Sequence, residues 1–186
     1  MGEKRSVIRS IRIPCEVDES LQREAEDKNL SVNSLVSSIL TKHVEFDVYS
    51  DKIRTVNLPR EVIRAVYEAA DEKELRQTSL DLGYRLIKDF LTLWHKETSL
   101  NGFLEFILLT FKYSNQASVD LKVDGGEYTL VLRHEMGEKY SKALGYFLNG
   151  GLNGLFGVDA AYEFGRDQLV IRFSAPQRSR RVSGSR

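Results

Sequence analysis

The chain has 186 residues, enough for one domain or two small ones, and its 41% of apolar residues can fill a buried core. Its 27 basic and 27 acidic side chains balance, so no overall field draws it to nucleic acid or to an anionic membrane, and a basic site must be local. One cysteine and three histidines exclude an internal disulfide and argue against a zinc site, and no apolar run reaches the ~20 residues of a membrane span. We therefore expect a globular cytoplasmic protein with no metal, no cofactor and no membrane contact.

The first pattern along the chain is a short strand followed by two helices. Ile11 and Ile13 alternate with polar residues up to Pro14, which predicts a strand over residues 7–13. Residues 16–28 carry a narrow apolar stripe at helical spacing, and Ser31 is a good N-cap for a second amphipathic helix. A lone strand cannot satisfy its own backbone groups, so this one needs a partner from elsewhere.

A similar order begins about 45 positions later. Residues 54–58 are strand-like, Pro59 closes them, and an apolar helix pattern follows. This spacing is either that of a diverged repeat or that of two junctions built with the same proline and helix-start acids. The identities at this shift are Pro14 and Pro59, Glu16 and Glu61, Val17 and Val62, Ala25 and Ala70, Lys28 and Lys73, and Leu30 and Leu75.

The rest of the chain predicts an α+β domain over residues 47–176. Residues 80–96 and 100–113 are two long apolar helices, and alternation on both sides of Asp124, Gly125 and Gly126 predicts a β-hairpin. A helix over 138–156 and two strands, 160–165 and 168–173, follow, and the four strands are predicted to form an antiparallel sheet. The final residues, 177–186, are rich in arginine and serine and are predicted to be a disordered basic tail.

Three features of this domain have a functional and a structural interpretation. His134, at a strand-to-helix junction, is either a proton carrier or ligand contact, or a structural residue. A group of glycines permits close packing or breaks the helix, and a set of aromatic residues lines a ligand pocket or fills the core. The glycines are Gly145, Gly150, Gly151, Gly154 and Gly157, and the aromatic residues are Trp94, Tyr146, Phe147, Phe156 and Tyr162.

The strand, helix and helix of residues 8–44, with Ser31-Val32-Asn33-Ser34 at the start of the second helix, resemble the ribbon-helix-helix family of DNA-binding proteins, the Arc, MetJ and CopG type. The resemblance covers about a fifth of the chain and implies an N-terminal module over residues 1–46. In this family two copies pair their strands into an antiparallel ribbon that enters the major groove. The residues that carry the resemblance are Ser10, Ile11, Arg12, Ile13, Pro14, Leu21, Ala25, Leu30, Ser31, Asn33, Leu35, Ile39 and Leu40.

The resemblance also implies roles for individual residues. Ile8, Ser10 and Arg12 face base edges, where Arg12 can bond guanine, Ser10 is a less selective partner and Ile8 can contact a thymine methyl. The implied phosphate contacts are Lys4, Arg5, Ser31, Val32, Asn33 and Ser34, and the implied dimer core is Ile11, Ile13, Leu21, Leu35 and Ile39. Many members place a glycine before the second helix, where this sequence has Asn29 and Leu30, and Asn29 is able to take the left-handed conformation at modest cost.

The sequence therefore predicts a homodimeric transcriptional regulator that binds double-stranded DNA, with further oligomers on DNA and a small-molecule effector as candidate partners. The acidic side chains of the first helix must then point away from the DNA. The alternative is that the ribbon is a dimerisation clamp for a C-terminal domain that binds a ligand or a partner or acts as an enzyme. No nucleophile with a base at a telling spacing is visible, so we do not expect an enzyme.

Overall fold

The computed structural model describes residues 7–53, 55–96 and 98–175. The chain divides into two compact units, Met1–Val48 and Tyr49–Arg186, and each is described by itself. The division comes two residues after the predicted end of the N-terminal module at residue 46. The predicted basic tail, residues 177–186, lies outside the described residues.

The first unit is mainly helical from Cys15 onward. Helix α1 spans Cys15–Asp27 and α2 spans Val32–Lys42, and a π-helical turn, His43–Asp47, follows. The short helix α3, Val48–Lys52, begins at the last residue of this unit and otherwise belongs to the second unit. Asn29 takes the left-handed conformation that an asparagine can adopt at modest cost, with φ of 53°. It ends α1 because the Asn29 N–H then reaches the carbonyl of Glu26 at 3.0 Å and the Leu30 N–H reaches that of Ala25 at 2.8 Å.

The two predicted strands that precede helices are wrong for the single chain. Residues 7–14 have no regular secondary structure, and neither do residues 55–59; Arg54 lies outside the described residues. The physical reason is that alternation shows only which side of a segment is apolar. A strand also needs a neighbouring strand with which its backbone groups form hydrogen bonds, and alternation does not identify that neighbour. The ribbon is therefore not observed in the single chain.

The second unit is α+β, as predicted. Its helices are α4 (Arg60–Ala69), α5 (Glu72–His95), α6 (Leu100–Ser114) and α7 (Glu138–Phe156). Its strands are β1 (Ser118–Asp124), β2 (Glu127–Arg133), β3 (Ala160–Phe164) and β4 (Gln168–Ser174). They form an antiparallel sheet in the order β1-β2-β4-β3.

The hairpin and the core follow from the strand pattern. Gly125 and Gly126 both have positive φ, 55° and 90°, which lets a two-residue turn join β1 to β2 as predicted. Leu130 and Leu132 of β2, with Leu169 and Ile171 of β4, are fully buried. They belong to one cluster with side chains of α5, α6 and α7, so the three helices and the sheet share a single core.

Helix α5 begins eight residues before its predicted start at position 80. The carboxylate of Asp71 accepts the N–H groups of Lys73 and Glu74 at 2.9 and 3.1 Å, which caps the helix at Glu72. The first two turns carry mostly charged and polar residues, so an apolar period could not reveal them.

The glycines of α7 allow close packing and do not break the helix. Helix α7 runs unbroken and packs tightly against α5. A Cβ on Gly150 would lie 2.2 Å from the carbonyl oxygen of Leu80, and a Cβ on Gly83 would lie 1.9 Å from that of Phe147. Each helix thus brings a glycine against the backbone of the other, a distance that no larger residue permits.

Candidate nucleic-acid interface

The segment before α1 exposes both of its faces. Ile8 is 94% exposed, and Ser10 and Arg12 are also exposed. Ile11 and Ile13, the predicted inner face, are 69% and 39% exposed. Neither face of this segment is thus covered within the described part of the chain. Lys4 and Arg5, two predicted phosphate contacts, lie outside the described residues.

The start of α2 has uncharged donors. Ser31 is the N-cap, and its Oγ accepts the Ser34 N–H at 3.1 Å. Ser34 is therefore already used by the cap, and within the described part of the chain no protein group accepts the N–H groups of Val32 and Asn33. The first turn of α2 holds no acidic residue. This helix end can accept an anion with two backbone donors and without a repelling carboxylate.

The predicted dimer core is only partly assembled in one unit. Leu35 is 2% exposed and lies with the buried Ala25 between α1 and α2, and Leu21 is half-buried. Ile39 remains 46% exposed. The single unit thus buries the side chains between its two helices and leaves the apolar residues toward the end of α2, such as Ile39, exposed to solvent. Other exposed apolar side chains of this unit are Val17, Leu30, Leu40 and Val44.

The acidic side chains of α1 occupy two positions around the helix. By helical spacing, most lie opposite the apolar stripe formed by Val17, Leu21 and Ala25. Those on this far side are Glu16, Glu19, Glu26 and Asp27. Asp18 and Glu24 flank the stripe, and each has a local donor, Gln22 at 2.6 Å and Lys28 at 2.5 Å.

His134 in the second unit has a serine partner that the sequence analysis missed. His134 is 5% exposed, and its Nε2 lies 2.9 Å from the Oγ of the fully buried Ser141 on α7. The Met136 N–H donates to Nδ1 at 3.2 Å, so Nε2 carries the proton and donates to Ser141. Ser141 in turn donates to the carbonyl of Gly165 at 2.7 Å. The seven-residue separation in sequence offers no signal for this pairing.

This arrangement points to a structural histidine. In nucleophilic catalysis the serine hydroxyl donates its proton to the histidine. Here the histidine donates to the serine, the serine donates to a backbone carbonyl, and both side chains are buried. Burial lowers the pKa of His134, opposed by the nearby charge of Asp167. Burial raises the pKa of Tyr140, because an acid that becomes negatively charged is disfavoured there. The Tyr140 ring stands edge-on to the imidazole of His134, with ring centroids 4.8 Å apart. The cluster joins the β2–α7 junction to the β3–β4 turn.

The predicted aromatic pocket is a set of packing contacts. Trp94 stacks on Tyr49 with ring centroids 4.5 Å apart, and Phe156 meets Phe103 edge-on at 5.8 Å. Phe147 and Tyr162 also pack against the core. A depression of about 540 Å³ lies elsewhere in this unit and includes Arg60, whose guanidinium is held by Glu135 and the carbonyl of Asn115.

Within the described ranges, no three His, Cys, Asp or Glu side chains are grouped so that they could hold a metal ion. None of the described helices combines the length and apolar character needed to cross a membrane. Comparison with models of protein families finds no match to the chain, and comparison with curated proteins finds no significant similarity.

Proposed function

We propose that the protein is a homodimeric transcriptional regulator in which residues 8–13 of two copies pair as an antiparallel ribbon that reads the major groove of DNA. The supporting observation is the exposure of this segment, with Ile11 and Ile13 on one face and Ser10 and Arg12 on the other, directly before a packed helix pair. Pairing gives the backbone its hydrogen-bond partners and removes the two isoleucines from water.

The polar face of the ribbon then carries the specificity. Arg12 has the fork of donors that matches O6 and N7 of guanine, and Ser10 donates or accepts with any base. Ile8, beyond them on the same face, offers only apolar contact, which suits a thymine methyl. A two-fold ribbon repeats these contacts, so the operator is expected to hold inverted half-sites.

Phosphate contacts set the register of the ribbon. The free N–H groups at the start of α2 receive a phosphate from the DNA backbone, next to Ser31. The far side of α1, with its carboxylates, is the surface that must remain away from the duplex. The α+β unit has a core of its own and serves to stabilise the dimer or to bind a small-molecule effector.

The test is a gel-shift series with the full chain and DNA fragments selected from genomic DNA. Arg12→Ala should weaken specific binding by about 1–3 kcal/mol, which is roughly 5- to 150-fold, while the dimer persists, because the side chain faces outward. Arg166→Ala removes an equal charge from an exposed position of the other unit and should leave binding unchanged. Unaltered binding by Arg12→Ala would favour the alternative, a dimerisation clamp for the α+β domain.

A further inference from the structure

The loop between β2 and α7 meets the turn between β3 and β4 at one end of the sheet. Residues 134–137 are the junction loop, and residues 165–167 are the β3–β4 turn. Both lie beyond the last residue pair of β2 and β4, which joins Arg133 to Gln168. The loop and the turn can therefore separate without breaking a pair of the sheet.

Three hydrogen bonds connect the turn to the loop and to α7. The His134 N–H donates to the carbonyl of Asp167 at 2.9 Å, and the Gly137 N–H donates to the Asp167 carboxylate at 3.1 Å. The Ser141 hydroxyl on α7 donates to the carbonyl of Gly165 at 2.7 Å. The three turn residues are exposed, whereas His134, Gly137 and Ser141 are buried. An exposed turn is thus bound through hydrogen bonds to buried groups.

The hydrogen bonds of the His134 side chain suit the neutral imidazole. Nε2 donates to the Ser141 hydroxyl at 2.9 Å, and Nδ1 accepts the Met136 N–H at 3.2 Å. A second proton must bind Nδ1, because Nε2 already carries one. The protonated Nδ1 and the Met136 N–H would then be two donors that face each other. Protonation therefore replaces a hydrogen bond of the junction loop with a repulsive contact.

The groups around the imidazole favour its neutral form on balance. The Asp167 carboxylate attracts a second proton, but burial has the larger effect and lowers the pKa of His134. Burial raises the pKa of Tyr140, so this group adds no negative charge. Glu135 is paired with Arg60 at 2.7 Å. The titratable and charged groups that face the loop are Asp167 and Arg166 from the turn, Tyr140 from α7, and Arg64, Tyr67 and Glu68 from α4.

We propose that these residues form a pH-sensitive latch, in which uptake of one proton by His134 separates the junction loop from the β3–β4 turn while the sheet and the α5–α7 contact stay folded. The proton comes from solvent and binds Nδ1 once the loop has opened. Opening removes the donor–donor contact at Met136 and hydrates the new charge. The parts that stay folded have contacts outside the latch, namely the register of β2 with β4 and the approach of Gly83 and Gly150 to opposing backbones.

Amide hydrogen exchange of the full chain between about pH 8 and pH 5 tests the latch. After correction for the intrinsic exchange rate, protection of the His134, Met136 and Gly137 amides should fall up to about tenfold per pH unit below 6.5, because opening takes up one proton. The amides of Leu130 and Ile171, in the central strands, should stay better protected over the same range. Equal protection of the two sets, with the same pH dependence, would show only global unfolding and would overturn the proposal.

A pair of histidine variants identifies the group that binds the proton. His134→Gln removes the proton acceptor but keeps an amide that can donate to Ser141, so the pH dependence of exchange in the loop should disappear. His43→Gln is the matched control, because His43 is an exposed histidine of the first unit, and it should leave this dependence unchanged. If the loop of His134→Gln still loses protection as the pH falls, the proton binds elsewhere and the latch is refuted.

A measurement on the unsubstituted protein checks the geometry on which the latch depends. The ¹⁵N chemical shifts of the His134 imidazole near pH 8 should show a proton on Nε2 and none on Nδ1. A proton on Nδ1 at this pH would contradict the latch, because a second proton would then not meet the Met136 N–H.

Discussion

Replacing Gly150 by alanine should force helices α5 and α7 apart. A Cβ at this position would lie 2.2 Å from the carbonyl oxygen of Leu80 and 3.0 Å from the amide nitrogen of Tyr84, and both are backbone atoms of α5. Ordinary contact begins near 3.4 Å, so the helices must separate by roughly 1 Å. A local rotamer change cannot relieve the clash, because a backbone moves only with its whole helix.

The magnitude follows from what the separation opens. Core side chains of both helices, among them Ile87, Leu91, Leu148 and Leu152, are fully or almost fully buried. A gap of ~0.5–1 Å already removes a quarter to a half of the dispersion energy of such contacts. Overpacking commonly costs about 1–3 kcal/mol, and the better helix propensity of alanine returns about 1 kcal/mol. Since this clash is with backbone, we expect the upper end of the overpacking cost and a net loss of about 2 kcal/mol.

Gly154→Ala on the same helix is the matched control. Its Cβ would lie 2.7 Å from Cδ2 of Tyr84, a side chain that is 39% exposed and can swing into solvent. The change in the free energy of unfolding should stay within about 1 kcal/mol, because helix propensity offsets the small displacement. Urea unfolding followed by circular dichroism measures both variants. Losses that agree within about 0.5 kcal/mol would refute the claim that the backbone contact limits the helix spacing.

Three further predictions concern His134 and the ribbon. Ser141→Ala should lower the free energy of unfolding by about 1–3 kcal/mol in urea titrations, because the buried His134 N–H loses its acceptor, whereas the exposed Ser174→Ala should change it by less than about 0.5 kcal/mol. Burial lowers the pKa of His134 in the folded state, so the stability that comes from burying its neutral form is fully present above pH 6.5 and is lost as the pH falls toward the folded-state pKa. His134→Gln should therefore flatten this part of the curve of unfolding free energy against pH. Ile11→Asp should abolish the dimer in light scattering and DNA binding in gel shifts together, whereas loss of only one would contradict a shared ribbon.

The predictions that succeeded concern features that a short stretch of chain encodes. Helix α7 has the predicted bounds, 138–156, because its apolar period is regular and Gly157 follows its last turn with φ of 62°. The hairpin at Gly125 was also predicted correctly, since two glycines between two alternating segments favour a tight turn that joins two strands. The left-handed conformation of Asn29 was likewise known to be accessible from its residue type.

The predictions that failed concern elements that need a hydrogen-bond partner, either a neighbouring strand or a capping side chain. Residues 7–14 and 55–58 have the alternation of strands, yet a strand in one chain requires a neighbour that alternation does not identify. The polar start of α5 was missed because its stabilisation comes from the Asp71 cap and not from an apolar face.

The sequence by itself determined the apolar parts of the helices of the α+β unit, the position of its hairpin turn and the faces that are apolar, because these depend on neighbours a few residues apart. Only the tertiary structure decided the strand order β1-β2-β4-β3, the enclosure of His134 with Ser141, and the approach of Gly83 and Gly150 to opposing backbones. The physical reason is that packing brings together residues that are distant in sequence. The type of a residue limits how much surface it can bury but does not show which residues will cover it.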